Sequence, residues 1–93
     1  MTTQVRKDEA RGRYELLDGG EVVGFADYHV DGDVVTLPHT VIDPARRGQG
    51  LGATLVGGAL DDIRRAGQRV VPACWYVRQY LDEHPELADL RSA

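Results

Sequence analysis

The sequence predicts one mixed α/β domain, in which a meander of antiparallel strands is followed by a helix, a parallel strand and a second helix. Two turn signals, Asp18-Gly19-Gly20 and Asp31-Gly32-Asp33, separate extended apolar segments in the first half of the chain. Two stretches of apolar residues at helical spacing occupy the second half. Because 93 residues can build one hydrophobic core and one main cleft, we expect a single domain over residues 1–93.

Four extended segments make up the predicted meander. Residues 3–7 and 12–17 are short strand candidates, and a third strand is expected over residues 21–30. The fourth covers residues 34–42, where side chains alternate onto two faces. One of these faces carries Val35, Leu37, His39 and Val41. Apolar residues on both faces predict that the fourth strand lies inside the sheet.

The helices are predicted from apolar stripes. The first stripe ends at Gly67, a residue typical of the position just past a helix, and consists of Leu51, Leu55, Val56, Ala59, Leu60 and Ile63. A short strand is expected over residues 69–73. A second helix is expected over residues 75–84, because Pro85 stops a continuous helix. We expect the last eight residues to form a short docked turn and a frayed tail.

Composition narrows the classes of partner. The net charge is −4, with fifteen acidic against eleven basic residues, and no run of Lys and Arg exceeds two, so neither nucleic acid nor an anionic membrane is expected as a partner. A single cysteine excludes an intramolecular disulfide and a cysteine-based zinc site. His29 and His84 lack metal-ligand spacing, so no metal is expected. The first residues contain no apolar segment, and we expect a cytoplasmic protein that is a monomer or a weak dimer.

The most informative segment is the hexapeptide Arg47-Gly48-Gln49-Gly50-Leu51-Gly52, at the start of the first helix. Its alternate glycines let the backbone adopt positive φ and direct N–H groups at an anion, and Arg47 adds a positive charge. A Walker A loop would need Gly-Lys-Ser/Thr, but the one lysine is Lys7. The dinucleotide pattern Gly48-x-Gly50-x-x-Ala53 lacks an acidic residue at the end of the next strand. The residues alone leave two interpretations, an anion-binding loop or an ordinary glycine-rich turn.

The order of elements around this loop resembles the GNAT acyltransferase superfamily. A strand ends in Val41-Ile42-Asp43-Pro44, and Arg47-x-x-Gly50-x-Gly52 fits the superfamily signature Arg/Gln-x-x-Gly-x-Gly/Ala. The resemblance covers about residues 13–84. More narrowly, small single-domain GNAT-like proteins with a cysteine near the acyl group are similar at His39-Thr40, Gly48-Gln49-Gly50, Val71-Pro72-x-Cys74, Tyr80 and His84-Pro85.

This resemblance implies a compact GNAT-like fold, with a mostly antiparallel sheet splayed between its fourth and fifth strands. It implies acetyl-CoA or coenzyme A as the acyl donor. The implied cofactor-binding residues are Val41 and Ile42 for the pantetheine, and Arg47, Gly48, Gln49, Gly50, Leu51, Gly52 and Ala53 for the pyrophosphate and its surroundings. Full-length family enzymes have two further helices that shape the acceptor site, and here only a few residues fill that interval. The resemblance therefore does not identify the acceptor, which is either a small amine or thiol or a protein lysine.

Three residues are candidates for catalysis. Cys74 lies at a strand end facing a helix N-terminus, where a thiolate would be stabilised and would take the acyl group, although a buried structural cysteine is the alternative. His39 would deprotonate a thiol or an amine, and a satisfied core histidine is the alternative. Tyr80 lies within about one residue of the position at which GNAT enzymes have a tyrosine that protonates the leaving thiolate. Core packing is the alternative role for Tyr80.

Other polar and aromatic residues receive structural interpretations. We expect Trp75 and Tyr76 to pack the second helix, and a cleft wall is the alternative for both. We expect the Asp61-Asp62 pair to be solvated. Two functions follow from the whole sequence. The first is an acyltransferase that moves an acetyl group to an amine or thiol, with Cys74 as a possible relay, and the second is a noncatalytic acyl-CoA-binding module that acts through a partner.

Overall fold

A computed structural model describes residues 2–92. Within them the elements in chain order are β1 (Thr3–Asp8), β2 (Arg13–Asp18), β3 (Glu21–Asp27), β4 (His29–Asp31), β5 (Val34–Thr36), β6 (Thr40–Ile42), α1 (Leu51–Arg65), β7 (Arg69–Val71) and α2 (Trp75–Glu83). Two 3-10 helices, Pro44–Arg46 and Pro85–Leu90, precede α1 and follow α2. In this part of the chain, no helix is both long enough and apolar enough to span a membrane.

The strands form two sheets. The first is antiparallel, in the order β1-β2-β3-β6, and the second has the order β4-β5-β7, with β5 and β7 parallel. The predicted third strand is therefore divided into β3 and β4, and the predicted fourth into β5 and β6. The prediction of one continuous inner strand over residues 34–42 is wrong, because only β5 is an inner strand and β6 lies at a sheet edge.

An irregularity in the pairing explains this division. Ala26 lies opposite Thr40, and His29 lies opposite Thr36. Residues 37–39 therefore face only residues 27–28, a three-against-two arrangement that bends the strand, as a β-bulge does. Pro38 lies at its centre, and proline is tolerated there because it has no N–H to donate to a neighbouring strand.

The predicted splay between the fourth and fifth strands is confirmed. Pairing between β5 and β7 runs to Thr36 opposite Val71. Two further bonds follow, from Leu37 N to Val71 O at 3.1 Å and from Cys74 N to Leu37 O at 3.0 Å. Beyond this point β6 pairs with β3 alone, so a gap opens between β6 and the start of α2.

Helix α1 packs against both sheets. All six residues of its predicted stripe are buried, and Gly67 follows the helix with φ +72°, as expected. Leu51, Leu55 and Ala59 join a cluster with residues of the first sheet. Val56, Leu60 and Ile63 join a second cluster with β5, β7 and α2. One helix therefore connects the two halves of the core.

The C-terminal segment is docked rather than frayed through Ser92. The 3-10 helix Pro85–Leu90 places Leu90 in the second core cluster. Beyond it, Ser92 N donates to Val70 O at 2.8 Å and Arg91 forms a parallel bridge with Val70. The expectation of a frayed tail is wrong as far as Ser92, because this backbone extends the pairing of β7.

A buried carboxylate stabilises the first sheet on the face away from α1. Glu15 is only 1% exposed, and it alternates with Tyr14 and Leu16, which pack toward α1. Its carboxylate accepts hydrogen bonds from Arg6 at 2.5 Å and from Arg13 at 2.8 and 3.0 Å. The bond from Arg6, supported by those from Arg13, outweighs desolvation and lowers the pKa of Glu15.

This cluster predicts an acid-sensitive contribution to stability. Because the pKa of Glu15 is lower in the folded state, its contribution is fully present above the ordinary glutamate value of 4.5 and is lost as the pH falls through the folded pKa. Glu15→Gln is expected to reduce the free energy of unfolding at neutral pH by about 1–3 kcal/mol. Urea unfolding over a pH series should show this difference shrinking in acid, while the exposed control Glu9→Gln changes little. A difference that is independent of pH would contradict the assignment.

Candidate functional site

A cleft of about 420 Å³ opens where the strands part. Its walls are β6, the loop before α1, the first turn of α1 and the start of α2. Seven of the nine predicted cofactor residues line it: Val41, Ile42, Arg47, Gly48, Gly50, Leu51 and Gly52. Gln49 is not among the lining residues, and Ala53 faces a separate groove beside Tyr80.

The loop at one end of the cleft has a geometry suited to anions. Gly48 and Gly50 have φ values of +83° and +73°, which L side chains rarely adopt, so glycine is required at both positions. Helix α1 begins at Leu51, and Gly50 supplies no side-chain cap. The first N–H groups of a helix have no partner within it, and they carry the positive end of its dipole. An anion at this position would accept hydrogen bonds from these N–H groups and would be attracted by the positive end of the dipole.

Two adjacent arginines at the loop have different environments. Arg46 donates to the carboxylates of Asp18 and of Glu21, the latter at 3.0 Å. Arg47 is exposed and lines the cleft, and it has no ion-pair partner among residues 2–92. The charge available to an incoming anion is therefore that of Arg47.

The edge of β6 presents unpaired backbone groups to the cleft. Asp43 N donates to Val23 O at 2.8 Å, and Val41 lies opposite Phe25 in the same register. Because antiparallel pairs alternate between bonded and non-bonded, Val41 also directs its backbone groups toward β3. Those of Thr40 and Ile42 then point away from β3. Of the two residues predicted to bind pantetheine, Ile42 is the one with its backbone groups at the free edge.

Cys74 lies at the other end of the cleft, as the N-cap residue of α2. It is 7% exposed, and its Sγ is 3.9 Å from Thr40 Oγ1. Its position combines a place in the second core cluster with a place in the cleft wall. Thr40 also lines the cleft and was not singled out as a site residue from the sequence.

Tyr76 and Trp75 line the cleft as well, so the alternative of a cleft wall is correct for both, and the preferred interpretation, that they only pack the helix, is wrong. The hydroxyl of Tyr76 lies 3.0 Å from the point where a Cβ on Gly52 would stand. Gly52 therefore makes room for this tyrosine, and burial raises the pKa of Tyr76. Trp75 is 66% exposed and meets the ring of Tyr76 edge-on at 5.7 Å. Their places next to Cys74 in the chain were the signal available in the sequence.

His39 and Tyr80 lie outside the lining of this cleft. The side chain of His39 is 54% exposed, its Nε2 is 2.5 Å from Asp27 Oδ2, and its ring meets Phe25 edge-on. The apolar face predicted for His39 is wrong, because the irregularity at residues 37–39 changes the alternation. Tyr80 stacks on His84 at 4.0 Å and lines the groove between α1 and α2, where burial raises its pKa. The structure thus brings Cys74 together with Thr40 and Tyr76.

Two further expectations concern acidic residues. Asp62 accepts a hydrogen bond of 2.8 Å from the buried Tyr14 hydroxyl and lies 3.9 Å from Lys7 Nζ, so the expectation of a merely solvated Asp61-Asp62 pair is wrong for Asp62. Within the described part of the chain, no group of three His, Cys, Asp or Glu side chains is placed to hold a metal ion.

A sequence profile described as "GCN5-related N-acetyl-transferase" matches residues 13–90, which include every described strand except β1, the loop before α1, and both α-helices. The chain belongs to this family. It is an acetyltransferase domain of the GNAT type, and the match spans every wall of the cleft.

Two vertebrate proteins are similar to this chain in sequence. The chicken (Gallus gallus) protein named NATD1 is 33% identical over 84 residues, which cover 88% of this chain and 76% of that protein. The mouse (Mus musculus) protein of the same name is 35% identical over 52 residues, and that alignment covers 56% of this chain and 47% of the mouse protein.

Solved structures support the fold. A GCN5-like putative N-acetyltransferase from Staphylococcus aureus superposes with a TM-score of 0.71 at 17% identity, covering 97% of this chain and 88% of that one. The ribosomal-protein-S18-alanine N-acetyltransferase from Escherichia coli gives 0.60 at 28% identity, and 69% of this chain spans 42% of that enzyme. A GNAT family acetyltransferase from Brucella melitensis, solved in complex with acetyl-CoA, gives 0.58 at 23% identity over 73% of this chain and 50% of that chain.

Proposed function

We propose that this domain binds acetyl-CoA in the cleft and transfers the acetyl group to an amine. The observation that carries the proposal is the arrangement of two unlike ends in one cleft. An uncapped helix start with Arg47 lies at one end and Cys74 lies at the other, and Tyr76 lines the cleft from α2 with its hydroxyl beside Gly52 in the first turn of α1. Phosphates require the first kind of environment, and a thioester undergoing substitution requires nearby proton donors and a water-poor wall. The acetyl-CoA complex of the Brucella neighbour supports the choice of donor.

The donor would lie along the free edge of β6. Its pyrophosphate would meet the N–H groups of residues 48–52 and the guanidinium of Arg47. Its pantetheine arm carries amides, which need hydrogen-bond partners when they leave water. The unpaired backbone groups of Ile42 and Thr40 supply such partners along the cleft, in the manner of an added strand. The acetyl thioester would then reach the Cys74 end.

Direct transfer requires a nucleophile, the thioester and a proton donor. The neutral amine attacks the carbonyl carbon, a C–N bond forms, the C–S bond breaks and coenzyme A leaves as a thiolate. Tyr76 is suited to protonate that thiolate, because it lines the cleft with its hydroxyl beside Gly52, and a tyrosine hydroxyl holds its proton at neutral pH. The attacking nitrogen, which is positively charged in the tetrahedral intermediate, loses a proton to solvent as the amide forms, and Tyr76 recovers its proton from solvent.

A relay through Cys74 is the finer alternative within the same reaction. Its thiolate would attack the acetyl carbon, forming an S-acetyl cysteine and releasing coenzyme A, and the amine would attack this second thioester. The position of Cys74 in the cleft wall at the start of α2 supports this relay. Its burial and its place in the core cluster favour a structural role instead.

The acceptor side of the cleft is open. Strands β1 and β2 are joined by residues 9–12 alone, so no helix pair from residues 2–92 covers this side. An open side accommodates an amine on a large molecule, such as a protein lysine, as well as a small one. The same observation favours a second function, an acyl-CoA-binding module that acts through a partner.

We further propose a cytoplasmic monomer or weak dimer without nucleic acid or membrane partners, in keeping with the negative net charge.

The glycine loop can be tested with a matched pair of variants. Gly50→Val and Gly32→Val both place a side chain at positive φ, +73° and +64°, with no atom within 4 Å of the new Cβ. We expect both to cost about 1–2 kcal/mol of stability, but only Gly50→Val to abolish coenzyme A binding, because its side chain occupies the phosphate position. Calorimetric titration of the folded proteins measures this. Unchanged binding by Gly50→Val would disprove the loop assignment.

The charge at the loop gives an independent test. Arg47→Ala is expected to weaken coenzyme A binding by about 1–2 kcal/mol, because the variant lacks the hydrogen bond that the exposed guanidinium donates to the phosphate. Arg65→Ala is the control, since Arg65 is the last residue of α1 and forms an exposed surface ion pair with Asp61. Arg64 is unsuitable, because it anchors Asp89 of the C-terminal 3-10 helix. Equal losses in both variants would indicate general electrostatic attraction instead.

Variants of Cys74 and Tyr76 distinguish three possibilities: direct transfer, a relay through Cys74, and coenzyme A binding without transfer. A relay predicts an acetyl label on the intact protein that hydroxylamine removes and that Cys74→Ser lacks. Direct transfer predicts that Cys74→Ser keeps acetylating an amine acceptor, whereas Tyr76→Phe lowers kcat and leaves coenzyme A affinity nearly unchanged. Mass spectrometry after incubation with acetyl-CoA measures the label, and a panel of peptide and small amines measures turnover. Coenzyme A binding without label or turnover would support the binding module.

A further inference from the structure

The loop between β6 and α1 has few contacts to hold its shape. Among residues 44–50, all except Arg46 are exposed. Their backbone hydrogen bonds stay within the loop or reach only its flanking elements. Two left-handed glycines interrupt the loop, and glycine moves easily between backbone conformations. A segment with these properties needs an external contact to remain in one conformation.

Arg46 supplies that contact. Its guanidinium donates through Nη1 to Asp18, the last residue of β2, and through Nη2 to Glu21, the first residue of β3, at 3.0 Å. The side chain of Asp18 is mostly covered, whereas that of Glu21 is exposed. Within residues 2–92, these are the only side-chain hydrogen bonds or ion pairs that connect residues 44–50 to an element distant in the chain.

The hydrogen bonds of Arg46 fix the loop directly before the residues that we assign to phosphate binding. Arg47 follows Arg46 with an extended backbone, and the two left-handed glycines come next. Fixing Arg46 therefore fixes where Arg47 and the first N–H groups of the loop begin. The β2–β3 turn itself is well anchored, because Asp18 and Glu21 pair with each other in the sheet and Gly19 N donates to Thr2 O at 3.1 Å.

We propose that Asp18 and Glu21 are positioning residues for the acyl donor, which hold the phosphate loop through Arg46. The proposal rests on the proposed function, in which this loop binds acetyl-CoA. A purely electrostatic role of the two acids predicts the opposite sign. If they merely neutralised Arg46 beside an anion site, removing one acid would free positive charge and strengthen binding. If they hold the loop, removing one weakens binding.

The first experiment uses Asp18→Asn, which keeps the shape of the side chain at the turn, and Asp31→Asn in the other hairpin as its matched control. Titrations with coenzyme A and with pantetheine, which lacks the pyrophosphate, are compared for each protein. We expect Asp18→Asn to weaken coenzyme A about fivefold to tenfold and to leave pantetheine unchanged, while Asp31→Asn changes neither. Tighter coenzyme A binding, or an equal loss for both ligands, would overturn the proposal.

A second measurement needs no ligand and therefore separates this proposal from the proposed function. Backbone 15N order parameters of residues 46–50 are expected to fall in Asp18→Asn from near the rigid value of about 0.85 toward about 0.6, while those of α1 stay constant. Unchanged order parameters would overturn the proposal even if coenzyme A binds. Failure of the parent protein to bind coenzyme A would refute the proposed function alone. Glu21→Gln, at an exposed position, should give a smaller change in the same direction and guards against misfolding of Asp18→Asn.

Discussion

The pairing of three residues against two at Leu37-Pro38-His39 is the constraint on which the rest of the site depends. Up to Leu37 the strand bonds to β7, and from Thr40 it bonds to β3. The bend between these two segments leaves one edge of β6 without a protein partner, and the cleft is the space beside that edge. The start of α2 is fixed at the same place, because Cys74 N bonds to Leu37 O. A local irregularity in one strand thus determines where the cleft opens and places two of its walls, β6 and the start of α2.

The glycines around α1 answer to different physical requirements. Gly50 provides a backbone conformation, with open space around its missing Cβ. Gly52 and Gly57 instead provide space, because a Cβ there would lie 3.0 and 2.7 Å from the hydroxyls of Tyr76 and Tyr80. Gly58 makes room for Val5 of β1 in the same way. A helix interior loses roughly 1 kcal/mol for each glycine relative to alanine, and close packing of α2 and β1 offsets this loss.

The sequence was informative wherever one residue type meets a strict local requirement. The stripe of α1, its end at Gly67 and the glycine loop were all predictable, since spacing and backbone conformation are local properties. The division of the fourth strand was not, because it depends on how residues 37–39 pair with a distant strand. The same misjudged alternation put His39 on an apolar face, whereas it pairs with Asp27. The place of Tyr76 in the cleft wall depends on its close approach to Gly52. The spacing of apolar residues in α2 does not indicate this contact with another helix.

The position of α1 across both core clusters has a mechanical consequence. A hinge that widened the cleft would have to pull the two sheets apart, and α1 would then leave one of its two buried surfaces. Loss of several buried apolar contacts costs more than thermal fluctuation supplies. The two sheets and α1 therefore resist opening as a hinge, and entry of a long, flexible molecule depends on the loop before α1 and on side chains at the rim. Trp75 and Arg47 are exposed there, and exposed side chains change rotamer rapidly.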